Sequence, residues 1–288
     1  MAAAAVASPL NEAGLLQVML RRPSVAIGLA IFVLIVLAAI FAPLITPYDP
    51  NKLAIVQRLK PPSSAHFFGT DEFGRDILTR VIFAGRVSLS VGLGVAVLSS
   101  LVGVILGLLG GFFRPLDAPV SRIIDAMMAF PDILLAIALV AALGASTVNV
   151  IIALSIVYAP RIARIIRAAT LVIRELTYVE AARALGVATW RILGNHILRN
   201  VLSPIIVQAT FVFAYAMLAE AGLSFLGVGV DSSTPTWGTM INEGSQYVNT
   251  AGWIILFPGI AITLCVMSLQ IAGDGLRDAL DPRLSREL

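Results

Sequence analysis

Six apolar runs, near residues 24–44, 88–112, 124–144, 148–168, 203–227 and 251–272, are each long enough to cross the roughly 30 Å of hydrocarbon in a bilayer. Inside lipid every backbone N–H and C=O must find its partner within the protein, so such a chain folds as a bundle of spanning helices. The composition agrees, with 13% of 288 residues charged where a soluble domain carries about 25%. The expected fold is all-α and integral to the membrane: a short N-terminal segment, 1–23, then one transmembrane domain, 24–288. The first run follows Arg21-Arg22-Pro23, yet it is long for a signal peptide. Ile40, two positions before Ala42, is also not the small residue that cleavage requires.

Lys and Arg set the orientation. With the N-terminus in the cytoplasm, all 20 basic residues except Lys52, Arg58, Lys60, Arg75, Arg80 and Arg86 lie inside, and the positive-inside rule then puts both termini there. Two sizeable outer loops follow, 45–87 and 228–250, with an inner connection, 169–202, that is long for a simple turn. Ser24 and Thr250 are expected as N-caps, and Ser203 as a cap ahead of Pro204. The Ala-rich start, Ala2 to Ala7, is expected to fray.

Within the inner connection, Thr177-Tyr178-Val179-Glu180-Ala181-Ala182-Arg183-Ala184-Leu185-Gly186 reads as a short polar helix. Thr177 and Glu180 have the spacing of a capping box, and Gly186 suits the left-handed residue that stops a helix. Its length is about eight residues, or roughly 12 Å. Such a helix is marginal alone, so its neighbours must hold it, and the small pair Ala181-Ala182 permits close approach of another surface.

Glu180-Ala181-Ala182, three residues and Gly186, set between the fourth and fifth spans, resemble the EAA loop of ABC-transporter permeases. Other blocks are similar to the dipeptide/oligopeptide/nickel branch: His66-Phe67-Phe68-Gly69-Thr70-Asp71-Glu72-Phe73-Gly74-Arg75-Asp76, Gly85-Arg86-Val87-Ser88-Leu89, Phe130-Pro131, Ala221-Gly222-Leu223-Ser224-Phe225-Leu226-Gly227, Pro235-Thr236-Trp237-Gly238, and the run from Gly273 to Pro282. One departure is Arg199, where the family pattern continues with Pro. The resemblance implies a type I-like ABC importer fold whose coupling helix offers Tyr178, Glu180, Ala181, Ala182, Ala184, Leu185 and Gly186 to an ATPase. It implies a second, homologous permease in a heterodimer, two ABC ATPase subunits that hold ATP and Mg2+, and an extracytoplasmic solute-binding protein, all at a bacterial inner membrane. The cargo it implies is a di- or oligopeptide, with nickel, glutathione or another small solute as alternatives.

Nucleotide chemistry is not expected of this chain itself, because neither Lys52 nor Lys60 follows the Gly of a P-loop. Its two His, His66 and His196, fall on opposite sides in the topology above, so no zinc-type cluster is expected. The one Cys, Cys265, reads as a small buried hydrophobe. Ser224 in Gly222-Leu223-Ser224-Phe225 lacks the intramembrane His that a serine protease needs. An ion-coupled carrier would show more acids at mid-membrane, and nothing points to nucleic acid. Glu220, with Ser224, is a candidate for the solute pathway, with pairing to another helix or to the second permease as the alternative. Arg161, Arg164 and Arg167 share a face and are expected to reach lipid headgroups. Asp71, Arg75 and Asp76 are expected to hold the outer loop together, with contact to a binding protein as the alternative.

Overall fold

The computed structural model describes residues 19–231 and 233–280, so Ala2 to Ala7, Asp281 and Pro282 lie outside the described residues. The first long helix, α1, covers Pro23–Ile40 with Arg22 as its N-cap. Ser24 therefore sits inside the helix. Pro23 lacks an N–H and has its φ preset, so it opens the helix before Ser24 does.

Helix α2 runs from Ile77 to Phe112, 36 residues, or about 54 Å. It starts at 77 rather than 88 because Asp76 caps it: the Thr79 N–H donates to Oδ2 at 2.8 Å. A hydropathy run locates the lipid-facing stretch, whereas a cap locates the helix, and here the two differ. Against α2 lies another long helix, reached through a broken pair. Helix α3, Arg114–Met128, and α4, Asp132–Leu143, meet at 91°. The expected span 124–144 is thus not one rod. Pro131 disfavours helical geometry in the residue before it, and α4 alone, at about 18 Å, is short of the hydrocarbon thickness. Among the described residues, five unbroken helices are long and apolar enough to cross, and the bent pair makes a sixth crossing if it counts as one.

Helix α5, Thr147–Ile173, is capped by Ser146 and makes the most extensive contact in the bundle with α2. The reason is a small-residue stripe. A Cβ placed on Gly103 or Gly107 would lie 2.8 Å from the Ala159 or Ala163 carbonyl oxygen, so only glycine lets the two backbones meet. Van der Waals packing is the main attraction available here, since lipid tails are as apolar as the helix faces.

After α5 comes α6, Thr177–Ala184. A turn at Thr189–Arg191 and a π-helical segment, Ile192–Leu198, then lead without a stop into α7, Arg199–Phe225. Ser203 is accordingly an interior residue and not a cap. With Arg199 in place of a proline, nothing removes an N–H until Pro204, and the backbone stays helical from Thr189 to Phe225. In the 228–250 loop a short α8, Trp237–Gly244, carries a capping box formed by Thr236 and Thr239. Helix α9, Trp253–Leu280, begins beyond Thr250, whose hydroxyl instead donates to the Tyr247 carbonyl at 3.3 Å. Two cores result. One joins α2, α5 and α7 around Val91, Leu154, Ile162 and Val212; the other joins α2, α7, α8 and α9 around Ile77, Met217, Trp237 and Ile254.

Candidate functional site

Helix α6 stands apart from the bundle, and its ends are built differently from each other. At the start, Leu176 is the extended N-cap, its carbonyl accepting from the N–H groups of Val179 at 2.8 Å and Glu180 at 3.1 Å. Thr177 is already helical and makes no side-chain cap, so the expected Thr177–Glu180 capping box is not formed. A hydroxyl on the first helical residue is one position too far along to reach back to its own turn. The far end does what its glycine promises. Gly186 has φ +74, its N–H donates to Arg183, and the Val187 N–H donates to Ala182, both at 3.0 Å. This paired closure is the Schellman arrangement.

One face of α6 is anchored. Val179 and Ala182, three apart, are buried against Ile192 and Ile197 of the π-helical segment, with Phe112 and Ile173 packed alongside. Tyr178 accepts a hydrogen bond from Asn200 at 3.2 Å and lies beside the His196 ring. The other face carries Glu180, Ala181, Arg183 and Ala184, all exposed, and ends at Leu185, 83% exposed. Of the predicted coupling residues, Ala182 alone faces inward. Trp190, 68% exposed, extends the outward surface and was not singled out from the sequence. Its signal was available: a tryptophan flanked by Thr189 and Arg191, outside any apolar run. Exposed apolar groups clustered in a polar segment mark a surface made for contact.

The opposite end of the bundle is braced by charge. Asp71 is fully buried; it accepts from the backbone of Phe73 and Arg75, each at 2.9 Å, from Arg75 Nε at 2.5 Å and from Arg80 Nη1 at 2.7 Å. The same two arginines reach Glu243 on α8, at 3.1 and 2.7 Å. Asp76, besides capping α2, pairs with His66 at 2.9 Å. Burial pushes the neighbouring Glu72 carboxyl above its ordinary pKa, more than Arg75 pulls it down. Asp71, Glu72 and Glu243 bring carboxylate oxygens within 4.8 Å of one another, but Arg80 bridges Asp71 and Glu243, so a guanidinium stands where a cation would.

Glu220 and Ser224 are also brought together, inside the wall. Glu220 is fully buried. It accepts from Ser224 at 2.8 Å and, more weakly, from Ser88 on α2 at 3.4 Å. Ser88 and Ser224 in turn accept the Trp237 and Val230 N–H groups, each at 3.3 Å. In this conformation the pair ties α7 to α2 and to the start of α8.

The arginines of α5 pair with carboxylates of the bent segment. Arg161 donates to Asp132 at 2.5 Å, Arg164 to Asp125 at 2.6 Å and Arg167 to Asp117 at 2.7 Å. The sharp bend between α3 and α4 lays three carboxylates over one face of α5, and paired charges cost less at depth than lone ones.

Residues 100–286 match the family described as the binding-protein-dependent transport system inner membrane component. The chain belongs to this family of permeases. Residues 8–62 match the N-terminal transmembrane domain of oligopeptide transport permease C. Among relatives, a protein named as a peptide transport system permease in Brucella suis is 51% identical over 93% of this permease and 91% of its own length. The dipeptide transport system permease of Alkalihalophilus pseudofirmus is 46% identical over 92% and 88%. The glutathione transport system permease of Pectobacterium atrosepticum is 41% identical over 91% and 88%. A solved structure of a methionine ABC transporter in inward-facing form has TM-score 0.58 at 20% identity, covering 71% of the permease and 98% of that chain. The likeness confirms the type I ABC importer fold. In the permease, α6 lies between α5 and α7 and carries the EAA-like residues Glu180, Ala181, Ala182 and, just past its end, Gly186.

Proposed function

We propose that this permease forms half of the translocation pathway of an ATP-driven importer for di- or oligopeptides. The observation that carries the reading is the two-faced α6: Val179 and Ala182 fix it to the bundle, while Glu180, Arg183, Ala184 and Leu185 are left outward. Two ABC ATPase subunits, binding ATP and Mg2+, would grip this face from the cytoplasm. A second, distinct permease would supply the other half of the pathway, and an extracytoplasmic binding protein would deliver solute at the α8 end. Both termini are then cytoplasmic, at a bacterial inner membrane. Peptide cargo rests on the names of the relatives, of which the Brucella and Alkalihalophilus proteins are peptide permeases.

The path for force is continuous. When the ATPases close, α6 moves with them and drags the π-helical segment packed on it. Because that segment runs into α7 without a break, α7 turns or tilts as one rod. π-Turns recur at functional sites, and this one lies between the anchored α6 and the spanning α7. On this reading Asp71, Arg75, Asp76, Glu220 and Ser224 hold the outer wall rigid, so that motion started at one end opens the pathway at the other.

The experiment is uptake by the complete importer in proteoliposomes with Glu180→Ala combined with Gly186→Leu. Assembly is expected to survive and uptake to fall to background. Unchanged uptake and unchanged solute-stimulated ATP hydrolysis would contradict the reading. This chain alone, given an ion gradient, is expected to move nothing.

A further inference from the structure

A cavity of about 230 Å³ opens between α4, α5 and α7, and its polar lining is Asp132, Tyr158 and Tyr215 against Ala136 and Leu154. Its depth is unusual for charge. Counted along the helices, Tyr158 lies about 17 Å from the Thr147 end of α5, and Tyr215 about 15 Å from the Phe225 end of α7. Both are close to the middle of a bilayer about 30 Å thick. The cavity is smaller than the roughly 300–1,000 Å³ of a complete small-molecule site, as half of a pathway would be when its other wall belongs to a second subunit.

The acid in this cavity is the deepest rung of the arginine ladder. Arg164–Asp125 and Arg167–Asp117 lie nearer the Ile173 end of α5, and their work is to hold the bent segment down. The Arg161–Asp132 pair differs. Its side chains are 39% and 37% exposed at a level where contact with lipid tails would be costly, so the space beside it suits water or a polar solute. The Arg161 guanidinium lies 5.8 Å from the centroid of the Tyr158 ring, and Tyr215 is 43% exposed on the facing wall.

We infer that Asp132, Arg161, Tyr158 and Tyr215 form a solute subsite for the zwitterionic backbone of a short peptide, a proposal that rests on the peptide reading above. An α-ammonium group fits Asp132 and the faces of the two tyrosines, which attract cations. The terminal carboxylate fits the guanidinium of Arg161, whose fork matches it in two hydrogen bonds. The charge balance is the central point. Opening the Arg161–Asp132 pair for a zwitterion leaves every charge paired again, whereas an ion of one sign leaves one partner bare at mid-membrane depth. Such a site lets a solute with both charges pass mid-membrane and resists one with a single charge, with no need to recognise side chains.

The test uses the complete importer with its binding protein in proteoliposomes, and dialanine as solute. Asp132→Asn is expected to keep assembly and binding-protein-stimulated ATP hydrolysis while uptake per ATP falls about tenfold or more, the loss of one charge-assisted contact. The exchange Asp132→Arg with Arg161→Asp restores a pair and holds the bent segment, yet uptake is expected to stay low, because the carboxylate then leaves the cavity that Asp132 shares with Tyr158 and Tyr215 and the ammonium no longer meets acid and ring faces together. Tyr215→Ala, which leaves the ion pair in place, is expected to cut uptake severalfold even if Asp132→Asn fails to assemble. Wild-type uptake per ATP in an assembled Asp132→Asn or Tyr215→Ala importer, or full recovery in the exchange, overturns the subsite. A wild-type importer that moves no dialanine overturns the peptide reading and the subsite with it.

Discussion

The two ends of this permease solve opposite problems. At the α8 end, Asp71, Arg75, Arg80 and Glu243 sit inward and share hydrogen bonds, and Glu220 joins α7 to α2 through Ser88. At the α6 end a helix of eight residues is held mainly by a few apolar contacts and one tyrosine, and turns Leu185 and Trp190 to the outside. The first end uses polar groups redundantly, so that no single motion frees it. The second keeps little of its own stability and offers apolar surface to something else. Rigidity at one end and availability at the other are what a lever needs.

The comparison breaks most visibly at Asp71. Asp71→Ala strips partners from two arginines that are largely buried, and is expected to cost about 3–5 kcal/mol, seen as loss of folded protein in detergent-based thermal unfolding. Glu220→Ala should cost about 1–3 kcal/mol by leaving Ser88 and Ser224 without an acceptor, and Glu220→Gln should recover most of it in the same assay. At the other end the order of effects reverses. Gly186→Ala meets no atom within 4 Å, so its penalty is the left-handed backbone alone, about 1–2 kcal/mol, felt locally; uptake should fall while the global melting temperature hardly moves. Smallest is Thr177→Ala, expected within about 0.5 kcal/mol of wild type, because Thr177 makes no cap. By contrast Thr236→Ala should cost about 1 kcal/mol through its genuine capping box on α8. An equal cost for the two threonines would show that α6 has the cap its sequence suggests.

What the sequence made legible follows from how local each signal is. Gly186 was readable because a left-handed stop depends on one residue, and the crossing helices because lipid leaves few alternatives. The start of α2 was misplaced, although the cap at Asp76 lay in plain view, since hydropathy fades at Arg86 while hydrogen bonding does not. The bend at 129–131 does not show in hydropathy, because 124–144 reads as a single apolar stretch. Its true partner pattern, Asp117, Asp125 and Asp132 against three arginines of α5, joins residues 29 to 50 positions apart. No local spacing encodes that. For the same reason Arg161 read as a lipid-facing arginine, when it lies well inside α5 and is paired to Asp132.

The lever account stands or falls on the outward face of α6. The native Cys265 is buried, so Leu185→Cys places one accessible thiol on that face, and Val56→Cys places one on the 88% exposed Val56 site far from it in the chain. The deciding measurement is maleimide labelling of each variant with and without the partner ATPases. The account predicts that the ATPases shield the thiol in Leu185→Cys and leave Val56→Cys unchanged. Equal labelling of Leu185→Cys in both conditions would contradict it.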